Sequence, residues 1–570
     1  MYFLGINYYG HNTSCAIFKN NKLIFAVEEE RLSRKKNDTS FPLKSILLCL
    51  KKCKISLKDI KEIGAATIPN RLLEEKYLKY TFNNYPKAND YFFDEKSLKN
   101  ILFLNNAEKI IREKLNYYGK ISFHNHHQCH MLSSYYLSGL KNAVSVSIDG
   151  VGEIESSAIS LIKNGKIKTL ENTNFPDSLG MLYSAITFFL GYRTNNSEGT
   201  VMALAALGNS KERVKGQKKT YEEFFKKIVR IKRNGIYEIN KEWFNYPFSR
   251  KGWISKKFIS VFGKQRKKNE KLNQNFKNIA AALQQRFEEA YIAYLKRAYN
   301  ISKMKNLTLS GGCALNCKAN GLIEKKINFK KIYIQPAAGD NGLSIGAGYL
   351  SYLKNIKNPK KNKYYEHTYF GPEFSDKEIK KILTKTNLKF EYCKDICKTT
   401  AALLNEKKII GWFQGKMEFG PRALGNRSIL SSPFPEEQKH IINNKVKHRE
   451  YFRPFAPAIL DEKKNDYFNL KSDSPFMLYA TTAKNITKIK AKAILHYDNS
   501  ARVQTVKKKN NQKFHRLITE FNNLTKVPIL LNTSFNDKGE PIVCTPQDAL
   551  KTFLNTNIDY LVIENYLIKK

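Results

Sequence analysis

Twice along the chain a strand pattern is followed by a polar, glycine-bearing turn and two further strand patterns, and this repeat constrains the fold more than any single motif. The first copy runs through Tyr2 to Asn7, the turn Gly10-His11-Asn12-Thr13-Ser14, Cys15 to Phe18, an Asn20-Asn21 turn and Leu23 to Val27. The second runs through Ala143 to Ile148, the turn Asp149-Gly150-Val151-Gly152-Glu153, Ser157 to Ile162 and Lys166 to Leu170. Short apolar runs bounded by Gly, Asn and Asp read as strands joined by turns. Two such meanders predict a duplicated α/β domain, and helical patterns at 43–53, 96–117, 181–190 and 276–300 supply its crossovers.

At 570 residues and 42% hydrophobic the chain exceeds what one core can bury, so at least two domains are expected. The first covers 1–355; within it 209–275 are Lys-rich and Gly-poor, and read as a surface insertion whose run Lys264-Gln265-Arg266-Lys267-Lys268 faces water. The polar, Pro-punctuated stretch 356–365 reads as a linker. From 366 to 570, helical patterns at 375–385, 398–406, 435–447, 511–525 and 546–555 alternate with strands at Lys408 to Phe413, Val527 to Asn532 and Tyr560 to Ile563, a second α/β domain. No stretch approaches the roughly 18 apolar residues of a membrane span and the opening lacks the regions of a signal peptide, so a cytoplasmic location is expected. The nine cysteines contain no Cys-x-x-Cys pair and read as free, mostly buried thiols.

A formal charge of +47 would ordinarily point to a polyanionic partner. Its distribution argues against nucleic acid: 80 lysines are spread along the whole chain against 18 arginines. The charge still favours anionic small substrates such as nucleotides by long-range steering.

Three constellations carry chemistry. His126-His127-Gln128-Cys129-His130 opens a predicted helix, and His126 and His130, four apart, share one face at a spacing suited to one metal. Asp340, between glycines in Gly339-Asp340-Asn341-Gly342, is the expected hard third ligand, although a surface histidine cluster would give the same spacing. Ser310-Gly311-Gly312-Cys313-Ala314-Leu315-Asn316 joins a strand, Asn306 to Leu309, to a helix, the setting in which glycine amides hold phosphate or ribose. With Asp149 and Gly150 in the second meander's turn it reads as two lips of a nucleotide cleft, the alternative being a plain tight turn. Finally, four of the eighteen arginines, Arg422, Arg427, Arg449 and Arg453, fall within 422–453 of a chain that otherwise uses Lys. Planar guanidinium forks bind phosphate and carboxylate oxygens bidentately, Lys447 and Arg502 add to them, and Asn532 and Ser534 offer amide and hydroxyl groups just after a strand.

These segments, with Glu28-Glu29-Glu30-Arg31-Leu32-Ser33-Arg34-Lys35, Phe175 to Tyr183, Gln335 to Gly342, Gly411 to Gly425, Phe452 to Pro457, Ser500 to Thr505 and Asn532 to Pro541, resemble in order those of the nodulation-type and antibiotic-tailoring O-carbamoyltransferases. The resemblance implies a duplicated actin-like ATPase superfold domain followed by a YrdC-like α/β domain. It implies that the C-terminal domain makes carbamoyl-adenylate from carbamoyl phosphate and ATP, with Arg422, Lys447, Arg453, Arg502, Asn532 and Ser534 holding the phosphates and carbamoyl group. The N-terminal domain would transfer the group to a hydroxyl of a small-molecule acceptor, a natural product or sugar. There His126, His130 and Asp340 would bind a divalent metal, iron, with magnesium accompanying the nucleotide. Gly311, Gly312 and Asn316 would hold the adenosine, and His11 would act as base or orient the acceptor.

The sequence departs from the family at Asn12, where Asp is frequent, and at Thr200 and Ala203, where Lys and Gly are. The missing cation at Thr200 puts acceptor specificity or rate in question. Two other readings compete: a tRNA-directed carbamoylation enzyme, prompted by the charge, and a catalytically silent scaffold, prompted by those departures.

Overall fold

The computed structural model describes residues 1–249, 252–360 and 362–570, apart from the side chains of Phe92 and Phe93. Arg250 and Lys251 of the expected insertion and Lys361 of the expected linker lie outside the described residues. The chain divides into two compact units: Met1–Ile24 with Thr39–Tyr364, and Phe25–Asp38 with Tyr365–Lys570. This differs from the expected 1–355 domain and 356–365 linker in two respects: residues 25–38 group with the C-terminal part, and the first unit runs on through Tyr364.

The first unit carries the predicted duplication. Strands β1 (Tyr2–Asn7), β2 (Ser14–Lys19), β3 (Lys22–Glu28, which the division between the units cuts after Ile24), β4 (Ile60–Ala66) and β5 (Lys120–His124) form a sheet in the order β3-β2-β1-β4-β5. Strands β6 (Asn142–Ile148), β7 (Glu155–Lys163) and β8 (Lys166–Asn174) are followed by a hairpin, β9 (Val229–Ile231) and β10 (Tyr237–Ile239), and by β11 (Asn306–Ser310) and β12 (Lys331–Ile334). The second sheet, read as β8-β7-β6-β11-β12, repeats the order of the first. In both, the opening strand pairs antiparallel with the next and parallel with the fourth, and the fourth pairs parallel with the fifth. Two copies of this three-meander-plus-two-parallel sheet are the actin-like architecture.

Strand β1 is buried along almost its whole length because helices cover it, as expected for a strand inside a layered α/β unit. The helix Leu343–Asn355 lies so close that a Cβ on Gly5 would stand 1.9 Å from the Ser344 carbonyl, and one on Gly346 would stand 1.9 Å from that of Cys129. Glycine at both contacts lets this helix wedge between the first sheet and the helix His126–Ser138. Its N-terminal approach therefore delivers Asp340 to the start of the histidine helix.

Two expectations change in detail. The helical pattern at 96–117 is two helices, Glu95–Asn105 and Ala107–Leu115, parted at Asn106. Arg266, expected in water, is buried: its guanidinium donates to the Leu190 carbonyl at 2.9 Å and the Glu270 carbonyl at 2.9 Å, while Lys264, Lys267 and Lys268 are exposed as expected. Leu190 ends the helix Leu179–Phe189, where carbonyls need donors, and Arg266 supplies one.

The second unit contains β13 (Lys389–Tyr392), β14 (Ile410–Phe413), β15 (Arg427–Ser431), β16 (Ala456–Leu460), β17 (Ala480–Thr482), β18 (Ser500–Arg502), β19 (Gln504–Val506), β20 (Ile529–Ser534), β21 (Tyr560–Ile563) and β22 (Tyr566–Lys569). Eight of these form one mixed sheet, β13-β22-β21-β14-β15-β20-β16-β19. Successive residues alternate between two apolar layers: Phe413, Ile429, Ile459 and Leu531 in one, Trp412, Leu430, Ala458 and Leu530 in the other. A period of two with both faces apolar places this sheet between helices.

Candidate functional site

The helix that carries the two histidines is fixed at its first turn. Asn125 caps it by accepting from the Gln128 amide at 3.0 Å, and the buried Glu153 carboxylate accepts from the His126 amide at 3.1 Å, the Asn125 side chain at 2.9 Å and the Ile68 amide at 2.9 Å. Orphan amides at a helix start favour a carboxylate there. The cap aims His126 and His130 at two acids. His126 Nε2 lies 3.2 Å from Asp149 Oδ2 and 3.8 Å from Asp340 Oδ1; His130 Nε2 lies 3.5 Å and 3.6 Å from the same atoms. All four residues are buried, their donor atoms lie within 4.8 Å of one another, and the group can hold a metal ion.

Asp149 belongs to this cluster, not only to a nucleotide-facing turn. Its other oxygen accepts from the Gly312 amide at 2.7 Å, so one carboxylate joins the histidines to the Gly311-Gly312 turn. The signal in the sequence was the duplication itself, because the first turn of each copy, bearing His11 or Asp149, reaches the same cluster. His11 Nε2 stands 3.7 Å from Asp340 Oδ2, and its Nδ1 is 2.7 Å from Asn12 Oδ1. Asn7 ties the parts together, donating to the carbonyls of His11, Asn12 and Asp340 at 3.1, 3.2 and 3.1 Å.

The electrostatics follow from burial among opposite charges. Burial alone would lower His130, but the adjacent carboxylates of Asp149 and Asp340 prevail and raise it to about 9. Asp149 and Asp340 are held below the usual carboxylate range, burial opposing and the imidazoles prevailing. His130 Nε2 is buried and makes no hydrogen bond, an orphan that a cation between the acids and imidazoles would satisfy. Two carboxylates balance a dication and two imidazoles add borderline nitrogen donors, so the residues fit a divalent first-row metal. The neighbouring histidines are committed elsewhere. His127 contacts Ser147 Oγ and the Glu155 carbonyl, both at 2.9 Å, and burial pushes it down to about 4; His124 meets Ser351 Oγ at 3.1 Å and is pushed down to about 3.

Of the residues expected to hold adenosine, Gly311 and Gly312 form the turn beneath Asp149. Gly150 is held from behind by Ser178, whose hydroxyl donates to its carbonyl at 2.6 Å. Asn316 uses its side chain within the fold, accepting from the Ala319 amide at 3.1 Å and pairing in both directions with Gln284 at 3.1 Å.

In the second unit the basic residues separate into two roles. Arg427 is fully buried, donates to the carbonyls of Gln414, Asn426, Pro372 and Gly415 at 2.6 to 3.1 Å, and stacks 3.6 Å above Phe413. Burial lowers it to about 10, and its role is to gather loops. Lys447, Arg449, Arg453 and Arg502 instead lie near one another. Burial, then Arg449, Lys36 and Arg453, push Lys447 well down; burial, then Arg453 and Arg502, do the same to Arg449. Lys447 donates to the Ser534 and Asn536 carbonyls and to Asn536 Oδ1 at 3.0, 2.7 and 2.9 Å. Ser534 Oγ donates to Asn536 Oδ1 at 2.6 Å, and Asn532 donates to Gln504 Oε1 at 2.8 Å. Arg422 sits on the loop between β14 and β15, where buried Glu418 accepts from the amides of Leu424, Asn426 and Arg427 at 2.7, 2.8 and 3.2 Å. Same-sign charges crowded under burial are compensated by an anion.

Residues 2–349 match the family model described as carbamoyltransferase N-terminus, and residues 401–570 match carbamoyltransferase C-terminus. The chain belongs to the carbamoyltransferase family. It is 36% identical over 607 residues to the uncharacterized protein sll1178 of Synechocystis sp., covering 100% of this chain and 96% of that protein. It is 33% identical over 573 residues to the nodulation protein NolNO of Sinorhizobium fredii, covering 99% of this chain and 80% of that one. Among solved structures, component A of the Acidaminococcus fermentans (R)-2-hydroxyglutaryl-CoA dehydratase aligns with 62% of this chain and 98% of its own at 14% identity and a TM-score of 0.34.

As a carbamoyltransferase the chain is a transferase, and no helix among its described residues is long and apolar enough to cross a membrane. The three residues expected to depart from the family pattern take defined places. Asn12 adopts a positive φ of 55° and receives His11. Thr200 is buried in the helix Glu198–Leu204. Ala203 lies inside that helix, where Ala is better than Gly by about 1 kcal/mol, so its backbone costs nothing.

Proposed function

We propose that this carbamoyltransferase works in two steps: the second unit makes carbamoyl-adenylate from carbamoyl phosphate and ATP, and the first unit transfers the carbamoyl group to a hydroxyl of a small molecule. The observation that carries the reading is the pairing, in one carbamoyltransferase chain, of a buried cluster suited to a cation with a basic cluster suited to an anion, in which buried Lys447 is crowded by arginines.

In the first step phosphate and pyrophosphate both leave, so a water supplies the oxygen that balances them. Arg422, Arg453 and Arg502 bind and orient phosphate oxygens, and Lys447, anchored on the Ser534–Asn536 turn, adds a fixed charge. Asn532 and Ser534 place amide and hydroxyl groups beside the carbamoyl group. In the second step the Gly311-Gly312 turn holds the nucleotide, and His126, His130, Asp149 and Asp340 would hold a divalent metal such as iron. That metal, when bound, supplies Lewis-acid polarisation at the adenylate phosphate. His11 takes the acceptor proton as the hydroxyl oxygen bonds to the carbamoyl carbon and AMP leaves. With Nδ1–H donated to Asn12, the neutral ring presents Nε2 as the basic atom, and although burial lowers its affinity for a proton, Asp340 and the Asn12 contact prevail and raise it.

Incubating the full chain with carbamoyl phosphate, ATP and a divalent metal should release pyrophosphate. Folded protein that releases none would sink the reading.

A further inference from the structure

The segment Glu28 to Lys35 matches the family motif, yet neither step above uses it. It groups with the second unit, and Glu28, Glu29, Glu30 and Arg31 are all buried. Charges this deep are kept only when paired and hydrogen-bonded. Their partners reveal the purpose. Glu28 Oε1 accepts the Gly420 amide at 2.9 Å, and Arg31 Nη2 donates to the Gly420 carbonyl at 2.9 Å, so the pair closes on both polar groups of one residue. Arg31 is held to Glu28 at 3.3 Å and to Glu30 at 2.8 Å. Gly420 has φ +120°, a conformation side chains rarely adopt, and leads directly into Pro421 and Arg422.

A second arm grips another loop. Arg34 donates to the Pro541 and Ile542 carbonyls at 2.8 and 2.7 Å, and lies 3.5 Å from Asp548. The Val543 amide donates to the Phe535 carbonyl at 2.9 Å, which ties this loop to the Ser534–Asn536 turn that anchors Lys447. Between the arms Leu32 fills a small apolar cluster of Met417, Ala423, Ile542 and Cys544. The segment therefore touches the two loops on which the phosphate-binding residues are mounted.

We infer that Arg31, with Glu28, and Arg34 are positioning residues for the anion site: they hold in place the loop of Arg422 and the loop behind Lys447. The inference rests on the two-step reading but is tested separately from it. The full chain is titrated calorimetrically with inorganic phosphate, and the binding that Arg453→Ala removes defines the site. Arg31→Gln should weaken that binding by about tenfold or more, since misplacing such groups by an ångström is costly. It should also raise KM for carbamoyl phosphate more than it lowers kcat for pyrophosphate release, and speed amide exchange at 420–424. If phosphate affinity and KM of folded Arg31→Gln match the unchanged chain while only its melting point falls, the pair is merely structural and the inference is overturned. Should that variant not fold, Arg34→Gln decides, its side chain being 27% exposed: about threefold weaker phosphate binding is expected, and no change overturns the inference. An unaltered chain that binds phosphate but releases no pyrophosphate sinks the two-step reading and leaves this result standing.

Discussion

The His-Asp cluster of the first unit and the Lys-Arg cluster of the second are stabilised in opposite ways. The first contains its own counter-charges, so His130 is pushed up and Asp149 and Asp340 down, each toward its ionised form. In the second, burial and then neighbouring charges of the same sign push Lys447 and Arg449 down, toward the neutral form. Burial is therefore no guide to function by itself. What distinguishes the sites is the sign of the ligand that would relieve them, a cation in one and an anion in the other.

The sharpest way to break this comparison is to damage each side in turn. Arg453→Ala should lower pyrophosphate release by about a hundredfold to a thousandfold, whereas His130→Ala should spare release and stop carbamoyl transfer. Equal loss of both steps in both variants would end the division of labour. Next in size, Arg427→Met should cost about 3 kcal/mol in a denaturant titration of the second unit by orphaning buried carbonyls. Half-exposed Arg453→Ala should cost under about 1 kcal/mol, so comparable losses would erase the line between scaffold and site arginines. Dialysis against a chelator should remove about 2.7 kcal/mol of calorimetric stability from protein held at a hundred times the metal's Kd, with phosphate affinity unaltered. The smallest effect is in pH. Metal binding must displace the His130 proton, so divalent affinity should climb as pH rises toward about 9. Phosphate instead favours charged Lys447, so phosphate affinity should fall with rising pH above the lysine's depressed value, by up to about one decade per unit. Slopes of the same sign in the two titrations would contradict the comparison.

What the sequence disclosed was local. The strands expected at Tyr2 to Asn7 and Ala143 to Ile148 stand where their patterns put them, because short apolar runs and flanking turns act over a few residues. The i, i+4 spacing likewise placed His126 and His130 on one face of one helix. Three features escaped. Asp149 joins a cluster whose other acid lies on a distant loop, and no periodicity encodes such a partner. Arg427 and Arg453 look alike in sequence, yet only folding reveals that one is surrounded by carbonyls. The attachment of 25–38 to the C-terminal part was hidden for the same reason, since the contact between Arg31 and Gly420 spans 389 positions.

That span has a consequence for how the protein is made. During synthesis the segment that will grip the Gly420 loop emerges early, and its partner follows hundreds of residues later. At roughly 5–20 residues per second, the buried acids and arginine of 28–34 wait tens of seconds in water before their loops exist. A fragment beginning at 366 would lack the segment entirely. Supplying 25–38 as a separate peptide should then rescue such a fragment, much as a missing strand restores a split reporter, and would turn a folding obligation into a handle for switching the second unit on.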